Sequence, residues 1–309
     1  NNKGVEFSLN AQIIDSSSWK WSVSGNIGVN RNEISDLGLL PADFGCLGER
    51  VGYYGNSLGD HFGVGHIFLA GEAPGLFYGY VTQGIVQKED ITENGIKYIK
   101  QDGSVGYYQT VNKTTPVAGD VKYVDRNGDG VVDDNDRDII GNPNPDFTYG
   151  FQTKVSWKSL SLSASFNGVQ GRDILNVGNR YNNTPGTKSN NVTRKAFQNM
   201  WTDENPSNLY PKSTFVVQNM VMDRYVEDGS YLRCSDITLS YVLPAKWTNK
   251  IGIKNTSVYA SVKNAFVITD YSGYDPEVNS FAFDGLRPGV DMNSYPTPRS
   301  FVFGLNLTF

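Results

Sequence analysis

The sequence contains little cysteine and little charge, and it has no long apolar run. Two cysteines, Cys46 and Cys234, allow one bridge or two free thiols but no disulfide framework. Lys and Arg number 27 against 32 Asp and Glu, which gives a net charge of −5 and no basic surface for nucleic acid. No stretch of 18 apolar residues occurs, so we expect no transmembrane helix.

Sequence features of catalysis are also scarce. The two histidines, His61 and His66, are five positions apart, which would place their rings on opposite faces of a strand. We therefore predict surface or loop histidines rather than metal ligands. No nucleophile-elbow, P-loop or dinucleotide-binding motif is present. The sequence predicts that the protein is not an enzyme.

Aromatic residues are abundant, at 13% of the chain, which argues against disorder. Many of them alternate with polar residues at a period of two, the pattern of a strand with one apolar face. The clearest such runs are Val5–Ile13, Trp19–Val29, Phe147–Trp157, Leu160–Phe166, Val258–Phe266 and Phe301–Phe309. Weaker runs cover Tyr231–Leu243, Leu76–Val86 and His61–Ala70, so the sequence predicts nine strands.

Short and long connections alternate along these strands. The short ones are Asp15–Ser18, Gly71–Gly75, Lys158–Ser159 and Pro244–Asn255, and the long ones are Arg31–Asp60, Gln87–Asp146, Gly171–Gly229 and Ile268–Arg299. In an up-and-down sheet this order places every long loop at one end, which is the layout of outer-membrane barrels. Trp19, Trp21 and Trp157 lie beside the short turns, as in the aromatic girdle at a membrane interface.

These observations predict an all-β fold, namely a transmembrane antiparallel up-and-down β-barrel with long extracellular loops. An antiparallel sandwich with one solvated face gives the same alternation and is the alternative. Single-chain bacterial barrels have even numbers of strands. An odd count, in a chain that opens without a signal-peptide pattern, therefore indicates the C-terminal portion of a larger barrel, unless one strand is miscounted.

Residues 125–136 have the spacing of a twelve-residue calcium loop. Such a loop supplies oxygen ligands from its positions 1, 3, 5, 7, 9 and 12. The corresponding ligands are Asp125, Asn127, Asp129, the backbone carbonyl of Val131, Asp133 and Asp136. Gly130 permits the sharp turn, but Asp136 stands where EF-hands have Glu, and we predict no flanking helices. We expect a structural Ca²⁺ here, with Mg²⁺ or a solvated acidic turn as the alternatives.

The long loops are rich in aromatic rings and amides. Rings with neighbouring amides suit sugar binding, because they combine apolar stacking with hydrogen bonds. The loop residues with this character are Tyr181, Asn182, Asn183, Trp201, Tyr210, Tyr271, Tyr274, Phe281 and Phe283. Of these, we predict that Tyr181, Trp201, Tyr271 and Phe281 contact substrate, with packing of the loops on themselves or on a partner as the alternative.

Several stretches, in order along essentially the whole chain, look like one family. They are Leu76–Tyr80, Asp120–Asp125, Arg137–Pro145, Phe147–Phe151, Asn167–Asp173, Tyr231–Arg233, Ile237–Tyr241, Asn264–Phe266, Tyr271–Glu277 and Pro296–Ser300. Together they resemble the C-terminal barrel part of the SusC/RagA-type TonB-dependent outer-membrane transporters of Bacteroidetes. Cys234 departs from the aliphatic residue expected in its strand.

The resemblance implies that residues 1–309 are roughly the last third of a large plugged barrel, ending at its natural C-terminus. It implies import of glycans (oligosaccharides) or peptides, together with a SusD-like surface lipoprotein that covers the barrel. It also implies contact with outer-membrane lipid, and with TonB through an N-terminal region and plug that lie outside this chain. The alternatives are a passive or structural barrel, and a secreted glycan-binding β-protein with a calcium loop.

Overall fold

Seven long strands form one antiparallel sheet in which neighbours in sequence are neighbours in space. In chain order they are β1 Asn2–Asp15, β2 Trp19–Asn32, β3 Phe147–Trp157, β4 Leu160–Gln170, β5 Tyr231–Val242, β6 Asn255–Thr269 and β7 Ser300–Thr308. The structure, a computed structural model, describes residues 1–38, 46–47, 50–58, 63–184, 191–213, 220–248 and 255–308. Within these residues the sheet is an open up-and-down meander, with β1 and β7 as its edges.

The period-two pattern gives this sheet one apolar and one polar face. The register pairs like with like, for example Val5 with Val29 and Phe7 with Ile27. Large apolar side chains on this face are exposed; Phe7 and Phe303, for example, are 61% and 79% exposed. Exposed apolar side chains on long alternating strands are the outward band of a membrane barrel. The predicted barrel architecture is therefore confirmed, as an incomplete arc of the wall.

The predicted tryptophan group lies at the short-turn end of the sheet. Trp157 is directly opposite Trp19 in the register, and the two rings stack with centroids 5.9 Å apart. The indole N–H of Trp21 donates to Thr153 Oγ1 at 3.0 Å. All three rings remain partly exposed, which is the arrangement of an interfacial aromatic girdle.

The remaining elements lie in the connections 33–146, 171–230 and 270–299. One sheet contains Asp138–Gly141, Leu76–Gly79, His66–Leu69, Arg50–Tyr54 and Cys46–Leu47, in that order. Smaller sheets contain Ile91–Thr92, Gly95–Ile99 and Val105–Tyr108; Thr110–Val111 and Val131–Val132; Thr82–Ile85 and Val121–Tyr123; and Val226–Asp228, Asp173–Asn176 and Val290–Asp291.

Helices are few and short. The α-helices are Val177–Asn183, Arg194–Asn199 and Ala245–Thr248, and the 3₁₀-helices are Lys88–Asp90, Asp134–Asp136 and Asp223–Tyr225. Among the described residues, no helix has both the length and the apolar character needed to cross a membrane.

The three long connections pack into one unit, which we call the outer-loop body. Its core joins Phe77 of the first connection to Leu175 and Met222 of the second and Val290 of the third. Much of this core is tyrosine, and its hydroxyls are partnered; Tyr98, for example, donates to the Asp125 carbonyl at 2.6 Å. Buried tyrosines with satisfied hydroxyls explain the high aromatic content better than the barrel strands alone do.

Two of the nine predicted barrel strands are wrong. The described part of His61–Ala70 and all of Leu76–Val86 belong to the outer-loop body. Leu76–Val86 contains the strand Thr82–Ile85 described above, and the two strands that were read as barrel strands are His66–Leu69 and Leu76–Gly79. Both strands are buried along their whole length and are not part of the barrel sheet. Residues 33–146, between β2 and β3, therefore form one long connection. A strand covered on both faces is apolar throughout, and a short run of this kind is easily read as weak alternation.

Candidate functional site

The loop 125–136 is organised around two buried carboxylates. Asp125 accepts hydrogen bonds from the backbone N–H of Gly128 at 2.7 Å and of Gly130 at 2.9 Å. Asp136 accepts from the N–H of Arg126 at 2.7 Å and of Asp133 at 2.8 Å. Both carboxylates are nearly inaccessible to solvent, and burial is the main reason that the pKa of Asp136 is raised above its ordinary value. The two side chains fold the loop back on itself.

The other predicted ligands also accept from backbone N–H groups, but at a closer spacing of two residues. Asn127 Oδ1 accepts from the N–H of Asp129 at 2.8 Å, and Asp129 Oδ1 accepts from the N–H of Val131 at 2.9 Å. Asp133 caps the helix Asp134–Asp136. In the part of the chain that the structure describes, no group of three or more acidic, histidine or cysteine side chains is close enough to hold a metal ion. The cation site therefore stays a prediction.

A second cluster of charges is buried where β5 meets the outer-loop body. Arg233, on β5, forms ion pairs with Asp275 at 2.5 Å and with Glu277 at 3.0 Å. Tyr231 donates its hydroxyl to Glu277 at 2.7 Å. Asp275 also accepts from the backbone N–H of Thr297 at 3.0 Å. We call these five residues the rim cluster. Arg233 and Tyr231 join the last long connection to β5, and Thr297 joins the later part of that connection to Asp275.

The groups around Asp275 keep its carboxyl group ionised. Burial alone would raise the pKa of Asp275, but the N–H groups of Glu277 and Thr297 and the charge of Arg233 lower the pKa below its ordinary value. Sequence analysis used these residues only as parts of the motifs that support the family resemblance, and it did not predict that they form a cluster. Arg233 and Asp275 are 42 residues apart, and no sequence pattern predicts that they form an ion pair.

The four predicted substrate-contacting rings have different environments. Trp201 is almost buried and donates its indole N–H to Gln87 Oε1 at 3.0 Å. Tyr271 is buried and donates its hydroxyl to Asp291 at 2.7 Å. The ring of Phe281 lies 3.9 Å from the guanidinium of Arg287, and Tyr181 packs partly buried on the outer-loop core. These contacts hold the loops together, and the role of the four rings in substrate binding stays a prediction.

His66 is buried, and the prediction of a surface or loop position is wrong for it; His61 lies outside the described residues. Its Nε2–H donates to the Pro288 carbonyl at 2.9 Å, which fixes the neutral tautomer. Its Nδ1 is buried without a hydrogen-bond partner. The pKa of His66 is lowered from 6.5 to about 4, mainly by burial and also by the charge of Arg287, against the opposing effects of Pro288 and Asp284.

Because the folded protein binds fewer protons at His66 than the unfolded chain, stability falls as the pH drops from about 6.5 to about 4. We expect the outer-loop body to lose up to ~3 kcal/mol across this window, at ~1.4 kcal/mol per pKa unit. Hydrogen exchange of peptides covering 66–69, corrected for the intrinsic pH dependence of exchange, measures this loss. In the variant His66→Gln the pH-dependent part should vanish; an unchanged pH profile would contradict the assignment to His66.

Of the two cysteines, the structure describes the side chain of Cys234. Cys234, on β5, is a free and buried cysteine. The side chain of Cys46 lies outside the described residues, so the choice between one bridge and two free thiols is described only at Cys234. In the wall of the sheet, Cys234 occupies the space of a small apolar side chain.

The comparison with known proteins agrees with the geometry of the sheet and loops. No protein-family profile matches the chain. Over its whole length the chain is 30% and 31% identical to two TonB-dependent receptors of Formosa agariphila. It is also 31% identical to the TonB-dependent receptor SusC of Bacteroides thetaiotaomicron. The chain spans 29%, 28% and 26% of the length of these relatives.

Solved structures give the same answer for the fold. The RagAB peptide transporter matches the whole chain with a TM-score of 0.68 and 25% identity, and the chain covers 29% of that protein. The same importer in its open-open state matches with a TM-score of 0.66 and 25% identity, with 28% covered.

An antiparallel wall with an outward apolar band, and loops packed at one end, defines part of an outer-membrane β-barrel. The chain belongs to the SusC/RagA-type TonB-dependent receptors, and it corresponds to somewhat more than a quarter of their length. The relatives are receptors and transporters by name, which fits the expectation that the chain is not an enzyme.

Proposed function

We propose that the chain forms the C-terminal part of an outer-membrane barrel that imports oligosaccharides or peptides in a TonB-dependent manner. The observation that carries the proposal is the one-sided layout of the chain. The apolar band of β1–β7 suits lipid, while all three long connections pack at one end into a body that can meet a ligand from outside. Similarity to TonB-dependent receptors over the full chain supports the mechanism.

The same proposal includes a SusD-like lipoprotein as the partner of the outer-loop body. A plug and a TonB-contacting segment would belong to the part of the protein outside this chain. Ligand would be held between the lipoprotein and the outer-loop body, and force from TonB on the plug would open a path through the barrel.

The test is uptake of the natural nutrient by cells that carry the full-length protein, with and without a functional TonB. Uptake that is lost without TonB supports the proposal. Uptake that persists without TonB would point to a passive barrel instead. Recovery of the native protein in a soluble extracellular fraction, rather than in outer membranes, would favour the secreted glycan-binding alternative.

We also propose that the loop 125–136 binds a structural Ca²⁺. Every predicted ligand is an oxygen, and Ca²⁺ prefers carboxylate and carbonyl oxygens in loops of this spacing. The carboxylates would have to rotate toward a common centre, since no three of them share one among the described residues. The gain would be a fixed loop beside the strand Val121–Tyr123.

Calcium should stabilise the full-length protein against thermal unfolding of the outer-loop body. At a free Ca²⁺ concentration about 100 times the Kd, the expected gain is ~2.7 kcal/mol. The variant Asp129→Ala should lose this gain, whereas Asp203→Asn, which alters an exposed ion pair with Lys88, should keep it. Equal melting of the wild type with Ca²⁺ and with chelator would contradict the proposal, and an equal gain with Mg²⁺ would assign the site to that ion.

A further inference from the structure

The sequence contains three Asn-Gly pairs, at residues 94–95, 127–128 and 167–168. In such a pair the backbone nitrogen of the glycine can attack the side-chain carbonyl carbon of the asparagine and form a cyclic imide. Glycine favours this step because it has no side chain to hinder the nitrogen or to restrict the backbone. Ring closure also needs a free side-chain amide and a backbone that can leave its folded conformation. The surroundings of the three pairs differ in both respects.

The loop 125–136 holds Asn127 and Gly128 in place. The N–H of Gly128 donates to Asp125 Oδ1 at 2.7 Å, which directs the attacking nitrogen toward that carboxylate. The side chain of Asn127 is bound to Asp129 at both ends. Its Oδ1 accepts from the Asp129 N–H at 2.8 Å, and its Nδ2 donates to Asp129 Oδ2 at 3.0 Å. Reaction at Asn127 would have to break all of these hydrogen bonds, so we expect this pair to react slowly.

Asn167 and Gly168 lie in the interior of the barrel wall. Both belong to β4, which pairs with β3 on one side and with β5 on the other. The side-chain amide of Asn167 also donates to Glu277 Oε1 at 3.1 Å, and Gly168 is buried. The chain cannot bend into a ring here unless it leaves the hydrogen-bonded ladders on both of its edges. We therefore expect this pair to react slowly as well.

Asn94 lies at the tip of a hairpin in the first long connection. The strands Ile91–Thr92 and Gly95–Ile99 pair with each other, and Asn94 is in the turn between them. Its backbone N–H donates to Thr92 Oγ1 at 3.2 Å. Its side chain is exposed, and among the described residues no group forms a hydrogen bond with the side-chain amide. The first strand of the hairpin has only 2 residues, so this end of the hairpin can open at little cost.

Packing requires glycine directly after Asn94. Gly95 has a φ of 114°, a conformation that residues with a side chain rarely adopt. A Cβ at this position would also lie 2.4 Å from the carbonyl oxygen of Tyr108, on the neighbouring strand Val105–Tyr108. Asparagine suits the preceding position, because its short polar side chain tolerates turn conformations. The packing of the hairpin therefore maintains an Asn-Gly pair at an exposed tip.

We propose that Asn94 is a site of spontaneous deamidation in the folded protein. The Gly95 nitrogen forms a bond to Asn94 Cγ, the bond from Cγ to the side-chain nitrogen breaks, and ammonia leaves with the proton of the Gly95 N–H. Water then adds to either imide carbonyl and opens the ring. The product is aspartate, or isoaspartate, in which the main chain runs through the side-chain methylene. Either product adds a negative charge beside Glu93, and isoaspartate also lengthens the main chain at the hairpin turn.

The test compares the three pairs within the same molecule. Purified full-length protein is incubated at mildly alkaline pH, which favours attack by the backbone nitrogen, and is digested at intervals. Mass spectrometry of the peptides then follows the conversion of each amide to an acid. We expect Asn94 to convert at least about tenfold faster than Asn127 or Asn167, because a protected pair reacts only during local opening. In protein unfolded with urea the three rates should agree within about threefold, since unfolding removes the protection.

The variant Asn94→Gln is the control. Its longer side chain closes a less favourable ring, so its peptide should show no conversion on the time scale of the wild type; conversion that persists there would place the reaction at another residue and overturn the proposal. Equal rates at the three pairs of the folded protein, or faster conversion at Asn127 or Asn167, would also overturn it. Conversion of Asn94 only after unfolding would do the same, because the hairpin would then protect it. No outcome depends on TonB or on a transported ligand, so this test is separate from that of the proposed function.

Discussion

Replacing Arg233 with methionine should release the last long connection from the barrel wall. Arg233 is buried between Asp275 and Glu277, and its loss leaves both carboxylates without their ion-pair partner. Breaking a buried ion pair by removing one partner typically costs 3–5 kcal/mol. Hydrogen exchange of peptides from 271–299 in the full-length protein should therefore accelerate at least a hundredfold, because each 1.4 kcal/mol is a factor of ten.

An exposed ion pair at the same end of the sheet provides the control. Arg31, on β2, pairs with Asp146 at 2.8 Å, but both side chains are 60% exposed. Exposed pairs contribute ~0–1 kcal/mol, so Arg31→Met should change exchange by less than about fivefold. Equal acceleration of exchange by Arg233→Met and Arg31→Met would show that burial of the ion pair does not determine how much it stabilises the last long connection. The barrel strands themselves should keep their protection in both variants.

The barrel strands could be predicted because their pattern is local. In β1, apolar Val5, Phe7 and Leu9 alternate with polar residues, and a sheet with one lipid-facing side produces this pattern strand by strand. The loop 125–136 was also visible, since Asp and Asn at fixed spacing bond to backbone N–H groups within two to five residues.

The outer-loop body could not be predicted from local pattern. Its strand His66–Leu69 is apolar on both faces, so alternation says nothing about its place. Its core brings together residues that are far apart in sequence, such as Phe77 and Val290.

Gly79 lies at a close backbone approach between the first and second long connections, and Gly79→Ala should separate them. A Cβ at this position would lie 2.4 Å from the Val221 carbonyl oxygen and 2.8 Å from Ile140 Cδ1. The neighbouring backbone is joined there by hydrogen bonds from Tyr80 N to Val221 O at 2.8 Å and from Asp223 N to Tyr80 O at 3.0 Å. The methyl group cannot be accommodated unless these bonds lengthen.

Overpacking of this kind usually costs 1–3 kcal/mol, and the lost backbone bonds add to it. We expect exchange in peptides covering 76–81 and 220–226 to accelerate by about tenfold to several hundredfold, since 1.4 kcal/mol is tenfold. Gly285→Ala is the control, because nothing lies within 4 Å of its Cβ position, and it should be neutral. Faster exchange in only one of the two Gly79→Ala peptides would mean that the connections are not held together at this point. Faster exchange in both peptides would show that the strand Leu76–Gly79 and the segment 220–226 stabilise each other, and that this contact requires glycine at position 79.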